Sequence, residues 1–447
     1  MNYVPHTSKD IEVMLSRIGL KNTDDLFSHI PFEVLNKSNI GLPEDITESE
    51  VVKELHDIGA KNRDILSTSS FLGAGAYFHF VPPLVDFLSS RGEFATAYTP
   101  YQPEVSQGTL TAIFEYQTML SYIFGVEVVN ASMYDGASSL AEAVLMAYNI
   151  TGKNKFLVSS AIHPSYLRVL KTYIKNKELE IVEIPWKKDG RVDIEELKKN
   201  LIGNVGAVVI GYPNFFGIVE DLKTIKKSIG NILLITSTQE PLSLGIIASP
   251  GEQGADIVTG EGMSFGNPLG FGGPYLGIFG TSKKYVRKMP GRLVGQTIDK
   301  EGNRGYVLTL STREQHIRRA KATSNICSNE GLCALRAAIY LSLLGKEGFY
   351  ELSEYNLILS HYIKDIITSN KGFKLKFDAP FFNEFVIETD HNPEKLYNYL
   401  LKKDIIFGLH LKKYLKDMQN SFLINVTEMI GNKDVEKLQK ALEEYHD

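Results

Sequence analysis

Cysteine is almost missing from this chain: Cys327 and Cys333 are the only two in 447 residues. Their spacing is not C-x-x-C, and two thiols cannot staple a chain this long. A disulfide-built secreted scaffold is therefore excluded, and a reducing compartment, the cytoplasm, is expected. Long apolar runs are missing too; none approaches the roughly 20 residues that a membrane-spanning helix needs, so no membrane partner is expected. The opening stretch, MNYVPHTSKDIEVML, lacks a basic segment followed by an apolar one, so no signal peptide is read. No charge dominates: 48 Lys and Arg stand against 53 Asp and Glu, a net of −5, which does not suit a nucleic-acid coat. H-E-x-x-H, paired His/Cys spacings, G-x-S-x-G and G-x-x-x-x-G-K-[ST] are absent, so no metal site and no Walker loop are expected.

What is present is the composition of a globular chain, 43% hydrophobic and 23% charged. Residues 1–65 read as a polar helical arm, with Ile11, Leu15 and Ile18 on one helical face, a second helix over Asp45–Ile58, and Pro5, Pro31 and Pro43 as punctuation. Residues 66–330 read as a large α/β domain. Short apolar runs (Lys155–Ser159, Glu180–Ile184, Val205–Gly211, Asn231–Thr236, Asp256–Gly260, Tyr275–Phe279) alternate with amphipathic helices. That pattern predicts a mostly parallel sheet covered on both faces, which binds ligands at the carboxyl ends of its strands. Residues 331–447 read as a small α+β domain: helices over Leu332–Leu344 and Phe349–Thr368, short strands, and a closing helix over Val435–Tyr445.

Five segments could carry chemistry. Tyr98-Thr99-Pro100-Tyr101-Gln102-Pro103 is a proline-fixed loop with tyrosine tips, as readily a packed loop as a site. Gly136-Ala137-Ser138 opens a helix whose free N–H groups suit a phosphate or carboxylate, although ordinary capping by Asp135 would look the same. His163 stands between a strand end and a Pro-started helix, where an imidazole could stack on an aromatic cofactor; a lone histidine satisfied by backbone is the commoner case. Gly260-Glu261-Gly262-Met263-Ser264-Phe265-Gly266 is dense in glycine, but its spacing is G-x-G-x-x-x-G, and no acidic residue lies between Glu261 and Asp299, so a nicotinamide site fails on detail. Lys283–Lys321 is a basic tract of net +8 in a chain of net −5. Such asymmetry suits an anionic partner surface better than a solvated face with internal ion pairs.

The order of these segments resembles the fold-type I pyridoxal-phosphate enzymes. The wording YTPYQPEVSQGTL, YDGASSLAEA, GNPLGFGGPYLG, MPGRLVGQT and REQHIRRAKATSNIC is similar to the glycine-cleavage P-protein family, glycine dehydrogenase (decarboxylating), from about residue 3 to the C-terminus. The length matches that family's N-terminal half, which in many bacteria and archaea is a separate α subunit. The resemblance implies glycine decarboxylation in an α2β2 assembly, with the aminomethyl group passed to the lipoyl arm of the H-protein. It also places Met263 where the catalytic half carries its Schiff-base lysine, and no lysine lies between Lys227 and Lys283. A thioether cannot form an imine, so the cofactor is expected on the β subunit and not covalently here. Glu240 falls near the position where the catalytic half uses an aspartate. Gly136, Ala137, Ser138, His163 and Glu240 would then line a vestigial pocket. Tyr98, Thr99, Tyr101, Gln102, Thr323, Ser324 and Asn325 would reach the partner's site, and Arg318 and Arg319 would help dock the carrier. The alternatives at this point are a stand-alone pyridoxal decarboxylase or aminotransferase, and a non-catalytic scaffold.

Overall fold

The computed structural model describes residues 5–37, 41, 46–95 and 98–446. The chain divides into two units, Met1–Arg63 and Asp64–Asp447.

The first unit is helical. Helices Ser8–Arg17 and Glu48–Gly59 each begin in a capping box, Thr7 with Asp10 and Thr47 with Glu50, which satisfies N–H groups that a helix start leaves open. Only Leu15 among its described hydrophobic side chains is buried; Val13, Met14, Ile18, Phe32, Val52 and Leu55 are exposed.

The second unit is built on a seven-stranded sheet. Its spatial order is Val128–Val129, Gly277–Thr281, Ile257–Glu261, Leu233–Thr238, Val205–Gly211, Lys155–Ser159, Glu180–Ile184. The last five strands in that order run parallel; Gly277–Thr281 is antiparallel to both of its neighbours. The central runs are buried because both faces are covered, whereas the edge strand Glu180–Ile184 carries two exposed glutamates. Leu157, Val208, Ile210, Leu234, Val258 and Ile278 pack on one side with Tyr116, Leu120 and Phe124 of helix Gln107–Phe124. Their alternates, Phe156, Val158, Ala207, Val209, Ile235 and Phe279, pack on the other with Leu140 and Val144 of helix Gly136–Thr151 and Leu170 of helix Pro164–Ile174. The α/β architecture expected from the sequence is therefore present.

A four-stranded antiparallel sheet follows, in the order Phe373–Leu375, Glu384–Thr389, Ser421–Asn425, Leu409–His410. Ile405–Ile406 lies outside that sheet and pairs in parallel with Ser69–Ser70, so the chain near residue 70 is tied to the C-terminal core, where Phe71 is fully buried. The long helical stretch Gly331–Ser369 is broken at Gly345 (φ 61°, ψ −174°), between the two helices read from the sequence. The basic tract holds an element that the pattern did not announce, an antiparallel hairpin of Leu293–Ile298 with Arg304–Thr309.

Candidate functional site

Two centres emerge, one at the carboxyl ends of the parallel strands and one at the edge of the unit. In the first, Glu261 ends a fully buried strand, and its carboxylate turns toward the start of helix Gly136–Thr151. It accepts hydrogen bonds from the backbone N–H groups of Gly136 (3.0 Å), Met263 (3.1 Å) and Leu276 (2.8 Å). Asp135 caps the same helix by accepting from Ser138 N–H at 2.6 Å. At the helix start read as an anion cradle, Gly136 N–H is thus taken by Glu261 and Ser138 N–H by Asp135, both carboxylates of the chain itself. Burial drives the Glu261 carboxyl up to about 7, against the pull of its N–H donors. Tyr166 stands over the cradle; a Cβ on Gly136 would lie 2.6 Å from its hydroxyl.

His163 caps helix Pro164–Ile174. Its Nδ1 accepts from Ser165 N–H at 3.0 Å, so Nε2 carries the proton and donates to the Ala74 carbonyl at 2.9 Å. Burial lowers its pKa to about 4, which keeps the ring neutral at pH 7. Both ring nitrogens are committed, and the ring packs within about 5 Å of Tyr166 and Phe215.

Glu240 accepts from His79 Nε2 at 2.8 Å, Ser264 Oγ at 3.1 Å and Leu242 N–H at 3.1 Å. The other ring nitrogen of His79 faces Glu428 at 2.8 Å. Burial opposes charging the His79 ring, but the two carboxylates override it and raise its pKa to about 10. Burial likewise works against the Glu428 carboxylate, yet His79 pulls it down to about 2. This clamp joins the end of strand Leu233–Thr238 to the C-terminal part of the unit. Beside it, Glu384 accepts from Ala74 N–H (2.6 Å) and Tyr77 hydroxyl (2.8 Å), and burial raises its carboxyl to about 7. Met263 is buried at 2% exposure, and the cavity left between Tyr77, Asn214, Gln239, Glu240 and Glu384 is about 10 Å³, room for one water.

The second centre gathers the Tyr98–Gln102 loop and the 323–328 segment. Thr99 is buried, whereas Tyr98, Tyr101 and Gln102 keep exposed surface. Thr99 Oγ1 and Tyr101 Oη both accept from the guanidinium of Arg292, each at 2.8 Å. Thr323 N–H bonds the Arg313 carbonyl at 3.1 Å, Ser324 is hydrogen-bonded to Glu142, and Asn325 is exposed. Burial raises the Glu142 carboxyl to about 7. The two centres adjoin, because Tyr134, just before the helix start, accepts from Cys327 N–H at 2.9 Å. Arg318 and Arg319 lie on the surface, but Arg292 and Arg313 of the same tract are buried, so the tract is not one solvated stripe.

Glu261, His79 and Arg292 were not singled out in the sequence. Glu261 had a usable signal: an acidic residue ending a buried strand, two positions before Met263. Among the described residues no group of three or more His, Cys, Asp or Glu could hold a metal ion, and no helix is long and apolar enough to cross a membrane.

A mostly parallel sheet with a Gly-Ala-Ser helix start, a histidine after the next strand and a small C-terminal sheet defines a fold-type I pyridoxal-phosphate-enzyme fold. Solved structures of low identity share it. Sphingosine-1-phosphate lyase of Burkholderia pseudomallei superposes with a TM-score of 0.66 at 12% identity, over 91% of this chain and 93% of that one. The model of the Glycine cleavage system P-protein family matches residues 1–442. The chain is similar to "Probable glycine dehydrogenase (decarboxylating) subunit 1" of Desulfitobacterium hafniense, 49% identical over 99% of this chain and 100% of that protein. The protein of the same name from Thermotoga maritima is 46% identical, over 98% and 99%. A crystal structure of glycine decarboxylase (P-protein) of the glycine cleavage system in inhibitor-bound form superposes with a TM-score of 0.88 at 42% identity, over 99% and 100%. The chain belongs to the glycine cleavage system P-protein family.

Pyridoxal phosphate does not fit the residues present at the strand ends. Position 263 offers a thioether, Glu261 and Asp135 take the Gly136 and Ser138 N–H groups that a phosphate would need, and Glu240 is bound to His79. Ala74 bridges His163 and Glu384, and Tyr77 bonds the same Glu384.

Proposed function

We infer that this chain is the cofactor-free half of a two-subunit glycine decarboxylase of the glycine cleavage system. With a catalytic β subunit, in a cytoplasmic α2β2 assembly, it takes part in glycine decarboxylation and in transfer of the aminomethyl group to the lipoyl arm of the H-protein. Pyridoxal phosphate belongs to the β subunit, where it supplies the electron sink for loss of carbon dioxide. The observation that carries the reading is the self-filled cradle: Glu261 on three backbone N–H groups, beside a buried methionine where an amine would be needed.

Under this reading Tyr98, Thr99, Tyr101, Gln102, Thr323, Ser324 and Asn325 complete the partner's active site. What supports it is that Arg292 anchors both Thr99 and Tyr101, while Tyr98, Tyr101, Gln102 and Asn325 keep exposed surface. Arg318 and Arg319 supply an exposed cationic surface for the carrier.

The test is exchange of labelled bicarbonate into glycine by each subunit alone and by the mixture. Exchange is expected only when the β subunit is present, with the mixture far above β alone. The isolated chain mixed with pyridoxal phosphate should give no borohydride-reducible adduct; a labelled lysine together with unaided exchange would establish the stand-alone enzyme instead.

A further inference from the structure

Arg292 is where two distant loops become one surface. Its side chain is 5% exposed. A guanidinium has five N–H donors, and here every one has its own acceptor: Glu314 Oε2 (3.2 Å), Thr99 Oγ1 and Ser328 Oγ (both 2.8 Å), Tyr101 Oη (2.8 Å) and the Cys327 carbonyl (3.0 Å). The acceptors come from three separate stretches of chain. The chain leading into Arg292 is itself fixed, because Arg313 binds the carbonyls of Met289 and Gly291 just before it. A planar fork satisfied at all donors admits one arrangement of its neighbours, whereas an ammonium with three donors could meet at most three of the five acceptors and would not fix their relative geometry.

We propose that Arg292 is the positioning residue that sets the Tyr98–Gln102 loop against the 323–328 segment, so that both present their exposed groups to the partner subunit's active site. The inference rests on the reading that these loops serve that site. Arg292 touches no substrate; it acts through Thr99, Tyr101 and Ser328.

The experiment uses the complex reconstituted with the catalytic subunit and follows glycine–bicarbonate exchange. Arg292→Lys should assemble as the parent does, with kcat lowered roughly 10- to 100-fold and KM for glycine within about twofold, as expected for a displaced but intact site. Arg292→Ala should regain part of its turnover on addition of guanidinium, and not on addition of the same concentration of sodium. Tyr101→Phe should cost less in the Arg292→Lys background than in the parent, because the two residues act through one bond. Parental kcat in Arg292→Lys, or a loss in Arg292→Ala that tracks lost assembly without guanidinium rescue, overturns the proposal. Tyr101→Ala and Thr323→Ala separate its failure from that of the underlying reading. Full turnover in both sinks the role of the loops and the proposal with it; slowed turnover in both with an active Arg292→Lys sinks only the arginine's part.

Discussion

The strand-end centre and the edge centre use similar residue types to opposite ends. At the strand ends, Glu261, Glu240, His163 and His79 are buried and spend their polar atoms on one another or on backbone. At the edge, Arg292 is just as buried, but the side chains it holds include the half-exposed Tyr101, and Tyr98, Gln102 and Asn325 lie exposed beside it. Polar groups turned inward hold the fold together; polar groups anchored at one end and open at the other can serve another molecule. Substitutions in the first centre should therefore be read in stability, and those in the second in turnover.

That contrast can be broken or sharpened by experiment. The largest effect is expected for His79→Ala, which leaves Glu240 and Glu428 buried without their cation and should cost about 3–5 kcal/mol in denaturant unfolding. A cost below about 1 kcal/mol would mean that the clamp is not a determinant of the fold. Glu261→Ala strips the acceptor from three buried N–H groups and should cost about 3 kcal/mol, with Glu261→Gln losing about half as much.

Next comes the pH dependence. The Glu261 carboxyl stands near 7 in the fold against about 4.5 unfolded, so the fold binds the proton more tightly. Its contribution is whole below pH 4.5 and is lost as pH rises through 7, a fall of about 3 kcal/mol that Glu261→Gln should remove from a stability-versus-pH curve. Glu142 and Glu384 slope the same way. At the edge, Tyr101→Ala should cost only about 1 kcal/mol, since water reaches the bond it leaves, while turnover of the complex drops. Equal destabilisation by Tyr101→Ala and Glu261→Ala would erase the contrast. The smallest change in stability, within about 0.5 kcal/mol, is expected for Arg318→Glu with Arg319→Glu, which should instead raise KM for the carrier and flatten its salt dependence.

The sheet was legible in the sequence because its strands are short runs rich in apolar, β-branched residues between turn residues: Lys155–Ser159, Glu180–Ile184 and Val205–Gly211 fall where the pattern put them. The hairpin after residue 292 was not, since Leu-Val-Gly-Gln-Thr-Ile neither alternates cleanly nor forms a solid apolar run. Nor was Ser69–Ser70, too short to show a period. At the site, the helix start and His163 could be picked out by local context, and Glu240 through the family resemblance. Their partners could not. His79 meets Glu428, 349 positions away, and Arg292 meets Thr99 across 193, so only the fold reveals these bonds.

The seated Glu261 also bears on how such a subunit could change over generations. A codon change giving lysine at 263 would supply an amine, yet the cradle would still be occupied, and the newcomer would sit two residues from a carboxylate ready to neutralise it. Emptying the cradle first would leave a weakened fold with nothing gained. If the chain works as proposed, a return to independent catalysis would need both changes together, and dependence on a companion chain would act as a ratchet.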